Sequence, residues 1–256
     1  MKNLLEGMVI AFAMYSKIPM PRVEWEKENM RYALCFFPLV GMSIGLLVSL
    51  WKGMQEEFAF GNLLFACIGG VIPVLVTGGI HLDGFLDTVD ALSAYASQEK
   101  RLEILKDPHT GAFAIIFCGV YFVTTVGIYS DLSREGIWMV GLGFVFSRIL
   151  SGLSVAWFPC AKNSGLAATF AAQTDKKRVR IVLAVEAVCV LIGMLARSPV
   201  KGIVMAGTGL AVWLYYRQMS QKKFGGITGD LAGWFLCMAE LFMAVSVWMM
   251  EGIFLW

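Results

Sequence analysis

Residues 111–130 read GAFAIIFCGVYFVTTVGIYS, twenty positions in a row without a charged side chain. A helix needs about 20 such residues to cross the roughly 30 Å hydrocarbon core of a bilayer. Lipid offers peptide groups no hydrogen-bond partner, so a chain segment that crosses it has to satisfy them internally, as a helix does. This stretch therefore predicts a transmembrane helix.

The rest of the chain repeats this pattern. Of its 256 residues, 58% are apolar and only 16% are charged, whereas about a quarter of the residues in a soluble domain are charged. Residues 8–15 are apolar but too short to span, and Pro19 and Pro21 follow them, so we expect an interfacial or re-entrant segment there. Six further apolar stretches are long enough to consider, at residues 32–51, 59–80, 137–157, 181–196, 202–216 and 231–250. We predict an all-α fold, a polytopic integral membrane bundle of about seven spans that forms one domain over residues 1–256.

Lysine and arginine are distributed unevenly between the predicted loops. Fifteen lie in the loops at 16–31, 81–110, 158–180 and 217–229, and four lie in the loops on the opposite side. Because loops rich in these residues stay in the cytoplasm, we expect the first set to face the cytoplasm and the chain to lie in the cytoplasmic (inner) membrane, surrounded by the lipid bilayer. The net charge is only +2, and no basic run is interleaved with aromatic residues, so we predict no nucleic-acid binding.

The loop at 81–110 opens with an acidic motif. Residues 78–91 read GGIHLDGFLDTVDA, in which Asp83, Asp87 and Asp90 are spaced i, i+4 and i+7. On a helix this spacing places the three carboxylates on one face. A divalent cation relieves their mutual repulsion, and Mg²⁺ prefers oxygen ligands together with substrate phosphates. We predict that the three aspartates hold Mg²⁺; the alternative is the solvated acidic face of a loop helix.

The same loop carries further groups suited to a charged substrate. Both histidines of the chain, His81 and His109, lie in it. A neutral imidazole accepts a proton or ligates a metal near pH 7, although a lone histidine is often structural. Arg101 and Lys106 are able to pair with phosphate oxygens, and ordinary surface charge explains them equally well.

A third polar segment precedes the last apolar stretch. Residues 224–230 read FGGITGD. Gly225 and Gly226, followed by Thr228, would let the backbone approach a phosphate closely, and a helix N-terminus attracts anions. Asp230 would either cap the last helix or hold the metal.

Two features inside the apolar stretches concern packing. Arg148, Glu186 and Glu240 are charged, and charges within a membrane pair with one another or line a cavity. We therefore expect Arg148 to pair with a carboxylate. Gly41 and Gly45 form a GxxxG pattern, which permits close packing between helices of the chain or a homodimer.

Together these blocks resemble the cobalamin synthase family, the adenosylcobinamide-GDP ribazoletransferases. The matching blocks are SKIPMP at 16–21, GGIHLDGFLDTVDA at 78–91, KDPHTG at 106–111 and GGITGD at 225–230. They occur in the family's order, so the resemblance extends over the whole chain.

The sequence departs from the family pattern at three positions. Pro108 replaces a usual serine, Trp234 follows Gly233 where the family tends to have alanine, and Cys237 occupies the position of a glutamate. We assign no role to Cys237.

The resemblance implies the last assembly step of adenosylcobalamin. The enzyme would transfer the adenosylcobinamide-phosphate moiety of adenosylcobinamide-GDP to the 5′-hydroxyl side of α-ribazole or α-ribazole 5′-phosphate and release GMP. Mg²⁺ is the implied cofactor, and phosphoryl transfer needs chiefly in-line positioning and neutralised charge. The implied roles are metal binding by Asp83, Asp87, Asp90, Asp107 and Asp230, proton transfer by Asp90 or His81, and substrate binding by Arg101, Lys106, His109, Gly225, Gly226 and Thr228.

Three other classes of membrane protein share parts of the pattern. A CDP-alcohol phosphotransferase also begins its acidic motif with Asp-Gly, but it continues with Ala-Arg and a second acidic half that this sequence lacks. A membrane prenyltransferase uses two separate aspartate-rich motifs. A cation-coupled transporter places its acidic residues at broken helices in mid-membrane, whereas six of the seven aspartates here lie on the predicted cytoplasmic side.

Overall fold

The computed structural model describes residues 2–161 and 165–254. A 3₁₀ turn at Ala33–Phe36 leads into the third α-helix. These residues hold no β-strand, only an isolated bridge between Cys160 and Ile227, so the predicted all-α fold is confirmed. The helices in this part of the chain are α1 (Lys2–Tyr15), α2 (Lys27–Met30), α3 (Phe37–Phe58), α4 (Asn62–Thr77), α5 (Ile80–Ser93), α6 (Gln98–Ile104), α7 (Ala112–Asp131), α8 (Arg134–Trp157), α9 (Leu166–Gln173), α10 (Lys176–Arg197), α11 (Pro199–Phe224) and α12 (Gly229–Phe254).

In the part of the chain that the structure describes, the helices that are long and apolar enough to cross a membrane number five or six. Within the described ranges, five helices are long and apolar enough to cross a bilayer: α3 with its preceding turn, α7, α8, α10 and α12. The bent pair α4–α5 raises this number to six when it is counted as one segment. The chain is a multi-pass membrane bundle as expected, with five or six segments that meet these criteria against the about seven predicted. The stretch predicted at 202–216 lies in α11, whose 26 residues are long enough but include Arg217, Lys222 and Lys223 in the last turns.

A sharp bend separates α4 from α5. Their axes meet at 96°, because Gly78 and Gly79 have φ values of +65° and +82°, a region that glycine enters at little cost. The Gly79 N–H donates to the Val74 carbonyl at 2.9 Å and closes the end of α4. The span predicted at 59–80 is therefore wrong as one straight helix, and the acidic motif lies on the separate helix α5, outside the five spanning segments.

The segment after α1 packs on this bend. The Lys17 N–H donates to the Val76 carbonyl at 2.7 Å, and the Lys17 side chain lies against Gly78, where an added Cβ would collide with it. Helix α1 is 14 residues long, about 21 Å at 1.5 Å per residue, and is too short to span. Its length agrees with the predicted interfacial or re-entrant segment.

Helix α8 forms the centre of the bundle and packs against α3, α10 and α12. Of the 18 most apolar consecutive residues of α8, 89% are buried inside the protein, against 17% for α10. Helix α10 therefore lies at the periphery of the bundle. Gly45 of α3 faces Gly141 of α8, where an added Cβ would lie 2.6 Å from the Gly141 carbonyl oxygen. An added Cβ on Gly41 would lie still closer to the Phe144 carbonyl oxygen. The GxxxG pattern thus serves packing within the chain, and it leaves no face for a homodimer at these glycines.

A buried ion pair joins α8 to α12. Arg148, which is 1% exposed, donates through Nη1 to Glu240 Oε1 and to Ser147 Oγ. The Ser147 hydroxyl also donates to Glu240 at 3.2 Å. The expected pairing of Arg148 with a carboxylate is confirmed, and this pairing is what makes two charges tolerable in the interior.

Candidate active site

Two glycines bring the acidic helix α5 against the start of α12. An added Cβ on Gly84 would lie 2.7 Å from the Asp230 carbonyl oxygen, and one on Gly233 would lie 2.8 Å from the His81 carbonyl oxygen. Because both glycines lack a side chain, the two backbones approach so closely that no side chain would fit between them. This crossing places Asp230 beside the carboxylates of α5, although it is about 140 residues distant in the sequence.

Asp83, Asp87 and Asp230 form the group that we call the acidic cluster. Asp87 is half-buried, and burial raises its pKa to about 6, helped by the negative charges of Asp83, Asp230 and Asp90. Within residues 2–161 and 165–254, no lysine or arginine forms an ion pair with any member of the cluster. A concentration of negative charge without a protein counter-charge is suited to a cation.

Asp90 has a different environment from the other aspartates of the motif. Its Oδ2 accepts from the Gly111 N–H at 2.6 Å, and its Oδ1 accepts from the Ala114 N–H at 2.9 Å. These N–H groups belong to the first turn of α7, which has no internal partner for them. Asp90 therefore caps α7 from α5 and holds the end of the loop at 94–111 near the cluster. Its predicted roles in metal binding and proton transfer stay predictions.

The exposed loop residues do not join the acidic cluster. Asp107 accepts from the His109 N–H at 3.0 Å and contacts His109 Nδ1 at 2.7 Å. Lys106 is exposed, and Arg101 donates to the Ala94 carbonyl at 3.2 Å. Asp107 is engaged with a neighbour two residues away, so the structure does not bring this predicted metal ligand to the other three.

The glycines of the GGITGD segment shape the backbone. Gly225, at φ +77°, ends α11. Gly226 lies against the backbone of 159–161, where an added Cβ would come within 2.5 Å of Ala161 N. Thr228 Oγ1 accepts from the Leu231 N–H at 3.2 Å and lies 3.5 Å from Asp230 Oδ2. The segment thus positions Asp230 at the first turn of α12, and the predicted substrate contacts of these residues stay predictions.

A cavity of about 230 Å³ extends from the acidic cluster into the bundle. Asp83 and Asp230 line it, as do His81 and the aromatic rings of Tyr15, Phe37 and Phe170. His81 is 8% exposed, and its Nε2 has no hydrogen-bond partner among the described residues. Burial lowers the pKa of His81 well below its ordinary value, with the nearby charge of Arg148 acting in the same direction, so the imidazole is neutral at pH 7.

Several residues of this site were not foreseen. Tyr15, Phe37 and Phe170 come from three distant segments, and no motif in the sequence distinguishes any of them. Gly84 and Gly233 are the exceptions, since a glycine within a helix often marks close approach of another backbone.

The site suits Mg²⁺ only when a substrate completes the coordination. Among the described residues, no three histidine, cysteine, aspartate or glutamate side chains converge closely enough to enclose an ion. Mg²⁺ typically takes one or two carboxylates and fills its other positions with water and substrate phosphates. The acidic cluster, open on one side and without a counter-charge, fits that arrangement.

Comparison with known proteins places the chain in a family. The sequence model of the cobalamin-5-phosphate synthase family matches residues 7–248. The chain belongs to this family. It is 46% identical to the adenosylcobinamide-GDP ribazoletransferase of Lachnoclostridium phytofermentans, over 98% of this chain and 97% of that protein. With the proteins of the same name from Clostridium botulinum and Geobacillus sp., identity is 31% and 27%, over 94% and 98% of this chain and 96% and 98% of the relatives.

No solved structure matches the chain. The family and the bundle together make it a membrane-embedded transferase of cobalamin synthesis, as the resemblance implied. Two of the three departures from the family pattern are packing residues, since Trp234 and Cys237 are both 5% exposed and lie within α12, whereas Pro108 is exposed.

Proposed function

We propose that the chain transfers the adenosylcobinamide-phosphate moiety of adenosylcobinamide-GDP to α-ribazole or α-ribazole 5′-phosphate. The products are GMP and adenosylcobalamin or its 5′-phosphate. Family membership supports this reaction, and so does a cluster of carboxylates without a counter-charge beside a cavity. The single observation that carries the proposal is the approach of Asp230 to Asp83 and Asp87 across the α5–α12 crossing.

The reaction exchanges one phosphate ester for another. An acceptor hydroxyl forms a bond to the phosphorus that carries the aminopropanol arm, and the bond from that phosphorus to the oxygen of GMP breaks. The 5′-oxygen of α-ribazole 5′-phosphate is already esterified, so the attacking group common to both acceptors is a ribose ring hydroxyl rather than the 5′-hydroxyl. The hydroxyl loses its proton, and GMP leaves with the electron pair.

The acidic cluster would bind the charged part of the substrate. Asp83, Asp87 and Asp230 would hold Mg²⁺ together with the diphosphate of the substrate, and the ion when bound would supply charge neutralisation there. Asp90 fixes the loop at 94–111 against α5, so that Lys106 and His109 can fold over a bound substrate. We keep Arg101, Lys106, His109, Gly225, Gly226 and Thr228 as proposed substrate contacts.

Two groups are candidates for the proton transfer. Asp90 already accepts hydrogen bonds from two backbone N–H groups, those of Gly111 and Ala114. His81 is neutral but lies inside the cavity. Asp90 lies on the same helix as Asp83 and Asp87, which would bind the diphosphate, so we favour Asp90 for proton transfer.

We propose the cytoplasmic membrane as the location, with the site open to the cytoplasm. The uneven distribution of lysine and arginine supports this orientation. A transporter is less consistent with the structure, because the deeply buried carboxylate Glu240 is neutralised by Arg148 and is not available to bind a transported cation.

The test uses purified full-length protein in nanodiscs with adenosylcobinamide-GDP, α-ribazole and Mg²⁺. We expect GMP and adenosylcobalamin in equal amounts. A parallel reaction with the 5′-phosphate identifies the preferred acceptor, and a 5′-deoxy analogue of α-ribazole should still react. If no GMP appears with either acceptor under any Mg²⁺ concentration, the proposal is wrong.

A further inference from the structure

The cavity beside the acidic cluster lies between helices α1, α3, α5, α8 and α12, with one wall from α9. Its volume is about 230 Å³. Its lining includes Asp83, which is exposed, and the half-buried Asp230, together with the buried side chains of Leu34, Val155 and Leu236. The cavity therefore joins a charged entrance to an apolar interior.

Aromatic rings form one side of this cavity. The ring of Tyr15 stacks with that of His81 at a centroid distance of 6.3 Å and an angle of 30°. Phe37 meets His81 edge-on at 6.0 Å, and Phe170 lies 5.9 Å from Tyr15. Such walls favour a flat aromatic guest, which gains offset or edge contacts in addition to burial.

The interior offers very little hydrogen bonding. The His81 imidazole, which is more than nine-tenths buried, forms no hydrogen bond with any described residue. Ser151 of α8 and Tyr15 of α1 carry the hydroxyls of the lining, which is otherwise mainly apolar. A buried polar group without a hydrogen-bond partner is destabilising, so a ligand that supplies the missing hydrogen bond to His81 is favoured.

Size and polarity exclude the other parts of the substrates. A cavity of roughly 150 Å³ holds one benzene ring, so 230 Å³ admits a bicyclic ring and no corrin macrocycle. Guanine is bicyclic but carries several donors and acceptors that this lining leaves unpaired. The dimethylbenzimidazole base of α-ribazole is bicyclic, apolar and has one free ring nitrogen.

We infer that this cavity binds the aromatic base of the nucleoside acceptor, with the His81 imidazole hydrogen-bonded to its free ring nitrogen. The inference rests on the proposed function. The ribose, attached to the base, then lies at the cavity entrance, where its hydroxyls face Asp83 and Asp230. His81 is in this account a specificity residue that selects the acceptor.

The first test fills the cavity. Ser151→Leu and Val155→Phe add carbon atoms to its lining, and Ser43→Leu on α3, outside the lining, is the matched control. We expect the KM for α-ribazole to rise at least tenfold in both filled variants, with the KM for adenosylcobinamide-GDP changed less than twofold. The control should match the wild type.

The second test isolates the hydrogen bond. The riboside of 5,6-dimethylindole has the shape of α-ribazole but carries CH in place of the free ring nitrogen. Wild-type protein should bind it about tenfold more weakly than α-ribazole, and His81→Phe should bind the two ribosides equally. If His81 instead serves as the general base, His81→Phe lowers kcat for both acceptors and leaves the tenfold preference intact, which overturns the assignment.

Direct binding separates this inference from the proposed function. Equilibrium binding of radiolabelled α-ribazole needs no turnover, so binding that Ser151→Leu abolishes upholds the inference even when no GMP forms. Conversely, GMP formation with an unchanged KM for α-ribazole in both filled variants contradicts the inference alone and leaves the cavity to a lipid chain.

Discussion

Replacing Gly84 with alanine should slow the enzyme much more than it destabilises the fold. The new Cβ would lie 2.7 Å from the Asp230 carbonyl oxygen, whereas ordinary contacts begin at 3.4 Å, so α12 has to withdraw from α5 by about 0.7 Å. Overpacking of this kind costs about 1–3 kcal/mol, and the better helix propensity of alanine returns about 0.5–1 kcal/mol. A misplacement near 1 Å at reacting groups reduces the rate about 10²-fold.

The measurement is the initial rate of GMP release, with thermal unfolding of the same sample as a check on folding. Gly119→Ala in α7 is the matched control, because an added Cβ there meets nothing within 4 Å. We expect the control to keep full activity and Gly84→Ala to fold but lose about 10²-fold in rate. Wild-type turnover in Gly84→Ala would refute the claim that the α5–α12 crossing assembles the site.

Three other substitutions test the supports of the site. Asp90→Ala removes the cap of α7 and should cost about 1 kcal/mol, seen as a lower unfolding temperature in detergent; an unchanged temperature would contradict the capping role. Arg148→Leu leaves Glu240 buried without its partner and should cost about 3–5 kcal/mol, while the double variant with Glu240→Leu should recover most of it. Gly78→Ala forces a side chain into the left-handed region and against Lys17, so we expect poor yield of folded protein, and normal yield would argue against a required bend.

Composition and apolar runs predicted the architecture well, because a segment that crosses a bilayer has to satisfy its backbone hydrogen bonds internally, which few backbone structures do. They predicted the number of spans less well. The bend at Gly78–Gly79 lies at the end of a continuous apolar run, and hydropathy records how apolar a segment is but not its direction. Helix α11 differs, because it is one continuous helix. Its apolar first half continues without a break into a polar second half, so the apolar stretch at 202–216 is only part of one longer helix.

Within the site, local spacing predicted part of the arrangement. The i, i+4 positions of Asp83 and Asp87 do share a helix face, because both lie on α5. Asp90 is on the same helix, but its carboxylate is used by backbone N–H groups of α7, and nothing in the sequence indicates which helix end will lie beside it. Asp107 forms a local contact with His109, and local contacts of this kind compete with distant ones.

A titration with Mg²⁺ tests the central claim most directly, namely that the acidic cluster provides the charge that phosphoryl transfer needs. GMP release from adenosylcobinamide-GDP is measured against Mg²⁺ for the wild type, Asp87→Asn and, as a matched control, Asp131→Asn at the opposite end of α7. We predict that the control follows the wild type and that Asp87→Asn loses about 10²-fold in rate or needs at least tenfold more Mg²⁺. Asp87→Asn with the same rate and the same Mg²⁺ dependence as the wild type would contradict the account.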